Sequence, residues 1–158
     1  MRRTAAVLAL FTVLAAALPA VSKGDFDRVV DFSVTLKSLA AAADGKAALP
    51  TSRILMLSGT VSGITIVNKD QPTFQARIEL ITGEWLGLDD VKAYACYVDF
   101  TGADFFPVFP VRPPAQPGPG VIVQSARVLV VARAVSIVTT PLGEKRVLLE
   151  GEYIRSIE

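Results

Sequence analysis

The chain has 158 residues, which is the size of one ordinary domain with a short appendage. Its 16 basic and 15 acidic residues give a net charge of +1, so the chain has no overall basic excess for neutralising the phosphates of a nucleic acid. The sequence has no histidine, which excludes Ser-His and Cys-His catalysis and the commonest metal ligand, and its single cysteine excludes an internal disulfide.

The chain begins with the pattern of a secretory signal peptide. Arg2 and Arg3 precede an apolar run from Ala5 to Leu18, and small residues at positions 20 and 22 follow as cleavage sites. An uncleaved anchor is the alternative, but the run is shorter than the ~18–20 apolar residues that a spanning helix needs. We therefore predict a signal peptide over residues 1–22 and a periplasmic or secreted protein with no stable membrane span. Its mature net charge would be near −1.

The next segment, residues 23–52, is predicted to form a short strand and a short helix that pack on the main domain. Alternating apolar and polar residues from Val30 to Thr35 indicate the strand. An alanine-rich stretch with leucines at helical spacing follows, with Thr35 as a candidate N-cap. Gly45 marks the position where this helix would end.

Residues 53–158 have the pattern of an all-β domain. The apolar stretches are rich in Val, Ile and Thr, and Gly59 and Gly63 inside the first stretch indicate a bulge or a bend. Closure of such strands into a small Greek-key barrel would remove exposed edges. We predict five strands, at Ile54–Val67, Phe74–Ile81, Val91–Phe100, Ser125–Val138 and Arg146–Ile157, with a turn region over residues 82–90 between the second and the third.

A proline-rich segment joins the third and fourth predicted strands. Prolines at every third position from Pro107 to Pro113 favour polyproline II, and together with those up to Pro119 they exclude a helix. The segment also has the P-x-x-P-x-R form of a displayed ligand. We favour the alternative, in which three phenylalanines close the lower end of the barrel: Phe105, Phe106 and Phe109.

The strand patterns resemble those of an oligonucleotide/oligosaccharide-binding (OB) fold. The matching stretches are SGTVSGI (Ser58–Ile64), ARIEL (Ala76–Leu80), VKAYACYV (Val91–Val98), SARVLVVARAVSI (Ser125–Ile137) and VLLEGEYI (Val147–Ile154). In these stretches the chain is similar to exported bacterial OB domains that are classed with tRNA anticodon-binding domains. Alanines replace glycines in the fourth strand, and the proline segment replaces the usual helix between the third and fourth strands. The resemblance implies a mainly β fold, a five-stranded OB-like barrel with the N-terminal strand and helix as an appendage.

The resemblance also implies a ligand surface across the second and third strands, framed by the loops at residues 68–71 and 139–145. Basic residues interleaved with aromatic ones would serve a nucleic acid there. Acidic neighbours such as Glu79 dilute the positive charge, and packing is the simpler explanation for Tyr94 and Tyr97. The candidate ligand-binding residues are Asn68, Lys69, Arg77, Trp85, Lys92 and Tyr94.

The sequence predicts no catalytic residue, no metal and no cofactor. Cys96 lies in the middle of an apolar strand, where a thiol behaves as a small hydrophobe. The pair Asp89-Asp90 has no companion group for acid and base work. Asp25, Asp27 and Asp31 lack the spacing of a calcium loop. We therefore predict that the protein is not an enzyme.

The fourth predicted strand is apolar on both faces, because Val128 and Val130 alternate with Leu129 and Val131. One face belongs to the core, and we expect the N-terminal strand and helix to cover the other. The leading hypothesis is an exported module that binds a protein, a peptide or a small ligand in the cell envelope. In this hypothesis the partner is another envelope protein or a second copy, and nucleic acid is an unlikely partner. The alternatives are an assembly protein that oligomerises through the barrel surface and, with less support, a single-stranded nucleic-acid binder.

Overall fold

A computed structural model describes residues 30–87, 90–112, 114–118 and 120–157. The predicted signal peptide lies outside these residues. Within them the chain forms six strands and one α-helix: β1 (Val30–Asp31), α1 (Leu36–Ala43), β2 (Ile54–Asn68), β3 (Gln75–Trp85), β4 (Val91–Thr101), β5 (Arg127–Thr139) and β6 (Lys145–Ser156). No helix in this part of the chain is both long and apolar enough to cross a bilayer.

The five long strands close into a barrel. The first half of β2, Ile54–Thr60, pairs antiparallel with β5, and the second half pairs antiparallel with β3. β4 follows β3, and β6 joins β4 to β5. β4 and β6 run parallel and pair only over Tyr97–Asp99, which makes this contact the shortest seam of the barrel. The ring of pairings confirms the predicted mainly β, five-stranded OB-like fold.

β2 takes part in both halves of the barrel because it bends. Its register with β3 shifts between Val61 and Gly63, which confirms the predicted bulge at Gly63. Gly59 instead lies in regular pairing with Val128. The bulge turns the strand away from β5 and toward β3, so a single long strand supplies two walls.

β3 and β4 form a ribbon that is longer than the sequence indicated. The stretch from Thr82 to Trp85 was predicted as a turn, but it pairs without interruption with Val91–Tyr94. Alternation places Ala76, Ile78 and Leu80 of β3 in the core, all with no exposed surface. The opposite face of the same ribbon therefore points outward along its whole length.

α1 closes one end of the barrel at the β4–β6 seam. Thr35 caps the helix through a reciprocal pair of hydrogen bonds with Ser38, and Gly45 follows it in the left-handed conformation with φ of 75°. Leu36 and Leu39 are buried in the core. The contacts of α1 are with β4 and β6, and the predicted N-terminal strand is reduced to the two residues of β1.

The expected cover for the outer face of β5 is absent from the described part of the chain. α1 packs on β4 and β6, and β1 pairs with β2. Val135 and Ile137 on β5 remain 53% and 42% exposed. The prediction that the N-terminal elements cover this face was wrong, because the gap beside the short β4–β6 seam takes the apolar side of the helix instead.

The segment after β4 closes the other end. Phe109 is 1% exposed, and its ring lies 5.2 Å from that of Phe100. Phe105 packs against the same core, and Phe106 is partly exposed with its ring edge-on to Phe74. The closing role of the three phenylalanines agrees with the prediction.

The backbone that carries these rings differs from the prediction. The backbone N–H groups of Val108 and Phe109 both donate to the carbonyl of Phe105, so the chain turns here instead of running as polyproline II. A turn brings the three rings to one side of the chain, which an extended segment with three residues per turn would not achieve. Pro113 and Pro119 lie outside the described residues.

Candidate functional site

Two clefts adjoin at the β3–β4 ribbon, one on its outer face and one at the edge of β4 beside α1, and we call them together the groove. The sheet cleft, about 400 Å³, lies between the ends of β2, β3 and β4 and the turn that joins β5 to β6. The helix cleft, about 1020 Å³, lies between α1, the part of β4 before the seam and the start of β6. Glu79 lines both clefts, so they adjoin at this side chain.

Tyr97 lies in the sheet cleft between two guanidinium groups. The Cζ atom of Arg77 is 5.6 Å from the centre of its ring, and that of Arg146 is 5.3 Å from it. Arg77 stands on β3 and Arg146 on β6, the two strands that neighbour β4. Such cation–π contacts stabilise the charges beside the ring.

The two arginines are held in place by carboxylates. Arg77 forms a two-pronged ion pair with Asp99, with Nε to Oδ1 at 2.6 Å and Nη2 to Oδ2 at 2.8 Å, and this pairing raises the pKa of Arg77. Arg146 contacts Glu79 and also pairs with Glu144 at 2.9 Å. The Arg146 side chain is only 19% exposed. Its contact with Glu79 joins β6 to β3 at the place where the two clefts adjoin.

At the far end of the helix cleft, Tyr94 is the centre of a second cluster. Its hydroxyl donates to Glu84 at 2.7 Å, and this bond raises the pKa of Tyr94. Lys37 of α1 pairs with the same carboxylate at 2.7 Å, which lowers the pKa of Glu84. The Nζ atoms of Lys37 and Lys92 lie 5.9 Å and 5.5 Å from the Tyr94 ring.

Lysines also gather around Asp44, at the C-terminal end of α1. The Nζ atom of Lys46 donates to this carboxylate at 2.9 Å. The pKa of Asp44 is lowered first by this hydrogen bond and then by the positive charges of Lys92 and Lys145. Lys92 belongs to β4 and Lys145 to β6, so the cluster faces the groove from both sides. Among the residues that line the clefts, the charged side chains are Lys37, Lys46, Arg77, Lys92, Lys145 and Arg146 against Asp44, Glu79 and Glu144.

Three of the six predicted ligand residues line the groove. Arg77 lies in the sheet cleft, and Lys92 and Tyr94 lie in the helix cleft, although Tyr94 is itself buried. Asn68 is bonded to Thr73 and to the backbone of its own loop, outside both clefts.

The remaining two predicted residues also lie apart. Lys69 is exposed in the β2–β3 loop, and Trp85 is 73% exposed at the tip of the β3–β4 ribbon. Neither lines a cleft. The six assignments stay predictions.

Sequence reasoning missed Lys37, Lys46 and Arg146. Lys37 lies in the first turn of the helix and Lys46 follows its end, but the sequence does not show that the helix packs beside β4 and β6. Arg146 opens the predicted fifth strand, where a charged residue indicates only an exposed end. Its exposure is low because the β5–β6 turn folds toward the ribbon, and that placement depends on tertiary structure.

Within the described residues, no group of His, Cys, Asp and Glu side chains is arranged to hold a metal ion. Cys96 has no exposed surface, and burial raises the pKa of its thiol to about 12. A thiol of this kind is almost wholly protonated at neutral pH and has no path to a substrate. What the groove offers a ligand is therefore its charged side chains and the form of its two clefts.

No family model matches the sequence, and a search of curated proteins finds no match. Solved structures are similar in fold. The single-stranded DNA-binding protein of Thermus aquaticus matches with a TM-score of 0.42 and 12% identity, over 66% of this chain and 49% of its own. The chain thus spans about half the length of that protein. The single-stranded DNA-binding protein of Plasmodium falciparum, solved in complex with single-stranded DNA, matches with a TM-score of 0.38 and 16% identity, over 66% of this chain and 94% of its own.

A third neighbour is the small single-stranded DNA-binding protein of Streptomyces coelicolor. It matches with a TM-score of 0.38 and 12% identity, over 65% of this chain and 90% of its own. The barrel is an OB fold. At these identities and TM-scores the likeness concerns the fold alone, so any ligand has to be argued from the side chains of this chain.

Two predictions need correction. The leading hypothesis of an envelope module for a protein, peptide or small ligand was wrong, because it assumed a ligand surface without a basic excess. The prediction that nucleic acid is an unlikely partner was wrong for the same reason. It relied on the net charge of the whole chain, whereas the fold collects six basic side chains along one groove.

Proposed function

We propose that the protein binds single-stranded nucleic acid in the groove, without catalysing a reaction on it. The observation that carries the proposal is the row of basic side chains from Arg77 in the sheet cleft to Lys37 in the helix cleft. OB barrels use the outer face of this ribbon, where Arg77 lies, for extended ligands. An extended strand has regularly spaced phosphates, and a channel with basic residues along both sides matches them.

The groove favours one strand over a duplex. Its sides are α1 and the β5–β6 turn, and both rise beside the ribbon. A single strand can follow this depression with its phosphates near Lys92 and Lys145. A duplex would rest on the rims and reach fewer of the cations. The non-enzymatic part of the proposal is supported by the lack of histidine and by the inaccessible Cys96 thiol.

Export is part of the proposal. The signal-like pattern of the first 22 residues would place the barrel in the periplasm or outside the cell, as in the exported bacterial OB domains that the strands resemble. The protein would then bind its nucleic acid outside the cytoplasm. Fractionation of cells that express the full chain, with N-terminal sequencing of the product, tests this. Recovery of an uncut chain in the cytoplasm would contradict it.

Fluorescence anisotropy with a labelled oligo-dT of about 15 nucleotides tests binding, since OB folds cover ~4–16 nucleotides. We expect the affinity to fall as salt rises, with a slope of about −0.7 for each phosphate that is neutralised. Lys92→Ala with Lys145→Ala should weaken binding about tenfold and reduce the slope by about 1.4. The control is Arg112→Ala, an exposed residue of the β4–β5 connection that lines neither cleft.

Three outcomes would contradict the proposal. Equal loss in the control and in the double variant would show that binding is not in the groove. Competition by duplex DNA as strong as that by single strands would contradict the single-strand proposal. Failure of the wild-type chain to bind any single strand at low salt would end it.

A further inference from the structure

The groove tyrosines are not free to stack on bases. We propose that the ligand is held through its phosphodiester backbone and that its bases make no stacking contact, so the protein accepts a single strand of any sequence, including one without bases. This inference rests on the proposed function and describes the chemistry that the groove recognises. OB folds that bind single strands commonly combine phosphate contacts with stacking on aromatic rings.

Tyr97 is the aromatic residue of the sheet cleft. The guanidinium groups of Arg77 and Arg146 lie 5.6 Å and 5.3 Å from the centre of its ring. A base could take the place of either guanidinium only if that arginine left its carboxylate. Arg77 is held by two bonds to Asp99, and Arg146 is held by Glu79 and Glu144. Charge-assisted pairs of this geometry are the stronger kind of hydrogen bond, so displacement is costly.

Tyr94 is the aromatic residue of the helix cleft. Its side chain is buried, and its hydroxyl is fixed by Glu84. Lys37 and Lys92 lie near its ring. Four small side chains also line this cleft, Ala40 and Ala41 of α1 and Ala93 and Ala95 of β4. These residues offer room for a sugar-phosphate chain but no flat surface for a base.

Trp85 is the most exposed aromatic residue in the described part of the chain. It lies at the tip of the ribbon and lines neither cleft. The cations, in contrast, follow the whole groove. Within the described residues the recognition elements that face the ligand path are therefore positive charges, and these read phosphates without regard to base identity.

The test changes the ligand, so it does not depend on whether a protein variant folds. We compare labelled oligo-dT with an oligomer of equal length in which every nucleotide is an abasic tetrahydrofuran phosphate. We expect dissociation constants within about threefold of each other and equal salt slopes, whereas loss of even one stacked base would weaken binding by about fivefold or more. Oligo-dA and oligo-dC should match oligo-dT.

The outcomes distinguish the two proposals. If oligo-dT binds and the abasic oligomer binds more than about threefold more weakly, bases are stacked and this inference fails while the proposed function stands. If neither oligomer binds, the proposed function itself fails. The fluorescence of Trp85, the single tryptophan, gives a second reading because stacked bases quench it. We expect no quenching at saturation and no change in affinity for Trp85→Ala, and strong quenching would overturn the inference.

Discussion

Gly151 on β6 is the residue at which the barrel tolerates the least change. It pairs with Ala132 beside a register shift between β5 and β6, and a Cβ atom at this position would overlap the ring of Phe100. Phe100 is fully buried and is in contact with the rings of Phe105 and Phe109. The Phe100 ring can therefore pack in this position only because residue 151 has no side chain.

We expect Gly151→Ala to lower the free energy of unfolding by about 1–3 kcal/mol, because the buried Phe100 ring has to move within a packed core. Urea denaturation measures this. The control is Gly63→Ala, since a Cβ atom there meets nothing and the change should stay within about 0.5 kcal/mol. Equal losses for the two variants would show that backbone flexibility, and not the Phe100 contact, is responsible.

Cys96 gives a prediction about alkaline pH. Burial raises the pKa of its thiol to about 12, whereas the unfolded chain has an ordinary thiol, so the folded state binds the proton more tightly. Stability from this group is complete below the unfolded pKa of about 8.5 and is lost as the pH rises toward the folded value. Cys96→Ala should reduce the fall in unfolding free energy above about pH 9.

Part of the alkaline fall should remain in Cys96→Ala, because the pKa of Tyr94 is raised as well and acts in the same direction. Thiol reagents offer an independent measurement. The native protein should react only as fast as it unfolds, and the denatured chain should react at once. Rapid reaction of the native protein would contradict the burial of Cys96.

At the scale of elements, the closure of the barrel differs at its two ends. One end is closed by α1, and the other by the phenylalanines that follow β4. Phe109→Ala should lower the unfolding free energy by about 3–5 kcal/mol, because the ring is almost fully buried and leaves a cavity. Phe106→Ala, the matched control, should cost clearly less because its ring is 36% exposed. Thermal or urea unfolding of both variants measures the difference, and the reverse order would refute this account.

The elements themselves could be predicted well from the sequence. Strong alternation and β-branched residues located the five long strands, and Thr35 and Gly45 marked the ends of α1. The misplaced turn over Thr82–Trp85 has a physical reason. This stretch contains a glycine and polar residues, which indicate a turn locally, but pairing with Val91–Tyr94 keeps it extended.

The partner of α1 could not be predicted from its sequence. An alanine-rich helix with two leucines fits any shallow apolar surface. The decisive fact is that β4 and β6 pair over only Tyr97–Asp99, which leaves a gap that the helix fills. The position of that gap depends on the register of two strands that are about fifty residues apart in the chain.

For the molecule as a whole, the distribution of charge matters more than its sum. The net charge is close to zero, and yet the groove has twice as many basic as acidic side chains. Sequence composition could not reveal this separation, because Lys37, Lys92 and Lys145 come from three different elements. Only closure of the barrel brings them to one surface.

Glu79 is the acidic residue shared by the two clefts, and it competes with phosphates for Arg146. Glu79→Gln should tighten binding of oligo-dT at low salt several-fold, about one unit of charge repulsion being removed from the path. Arg146 keeps Glu144 as a partner in this variant. Anisotropy titrations at several salt concentrations measure the effect.

The control for Glu79→Gln is Glu152→Gln. Glu152 also pairs with an arginine, Arg133, but it lines neither cleft. Its replacement should leave affinity unchanged. A similar gain in both variants would mean that long-range attraction, and not the groove, determines the affinity.

The brief β4–β6 seam links ligand binding to the integrity of the barrel. Lys92 belongs to one strand of the seam and Lys145 to the other, so a polyanion that touches both lysines connects two strands that share only a short pairing. Occupancy must then raise the melting temperature in proportion to the logarithm of ligand concentration. A short oligomer that reaches only one of the two strands would bind more weakly and would raise the melting temperature less at the same concentration.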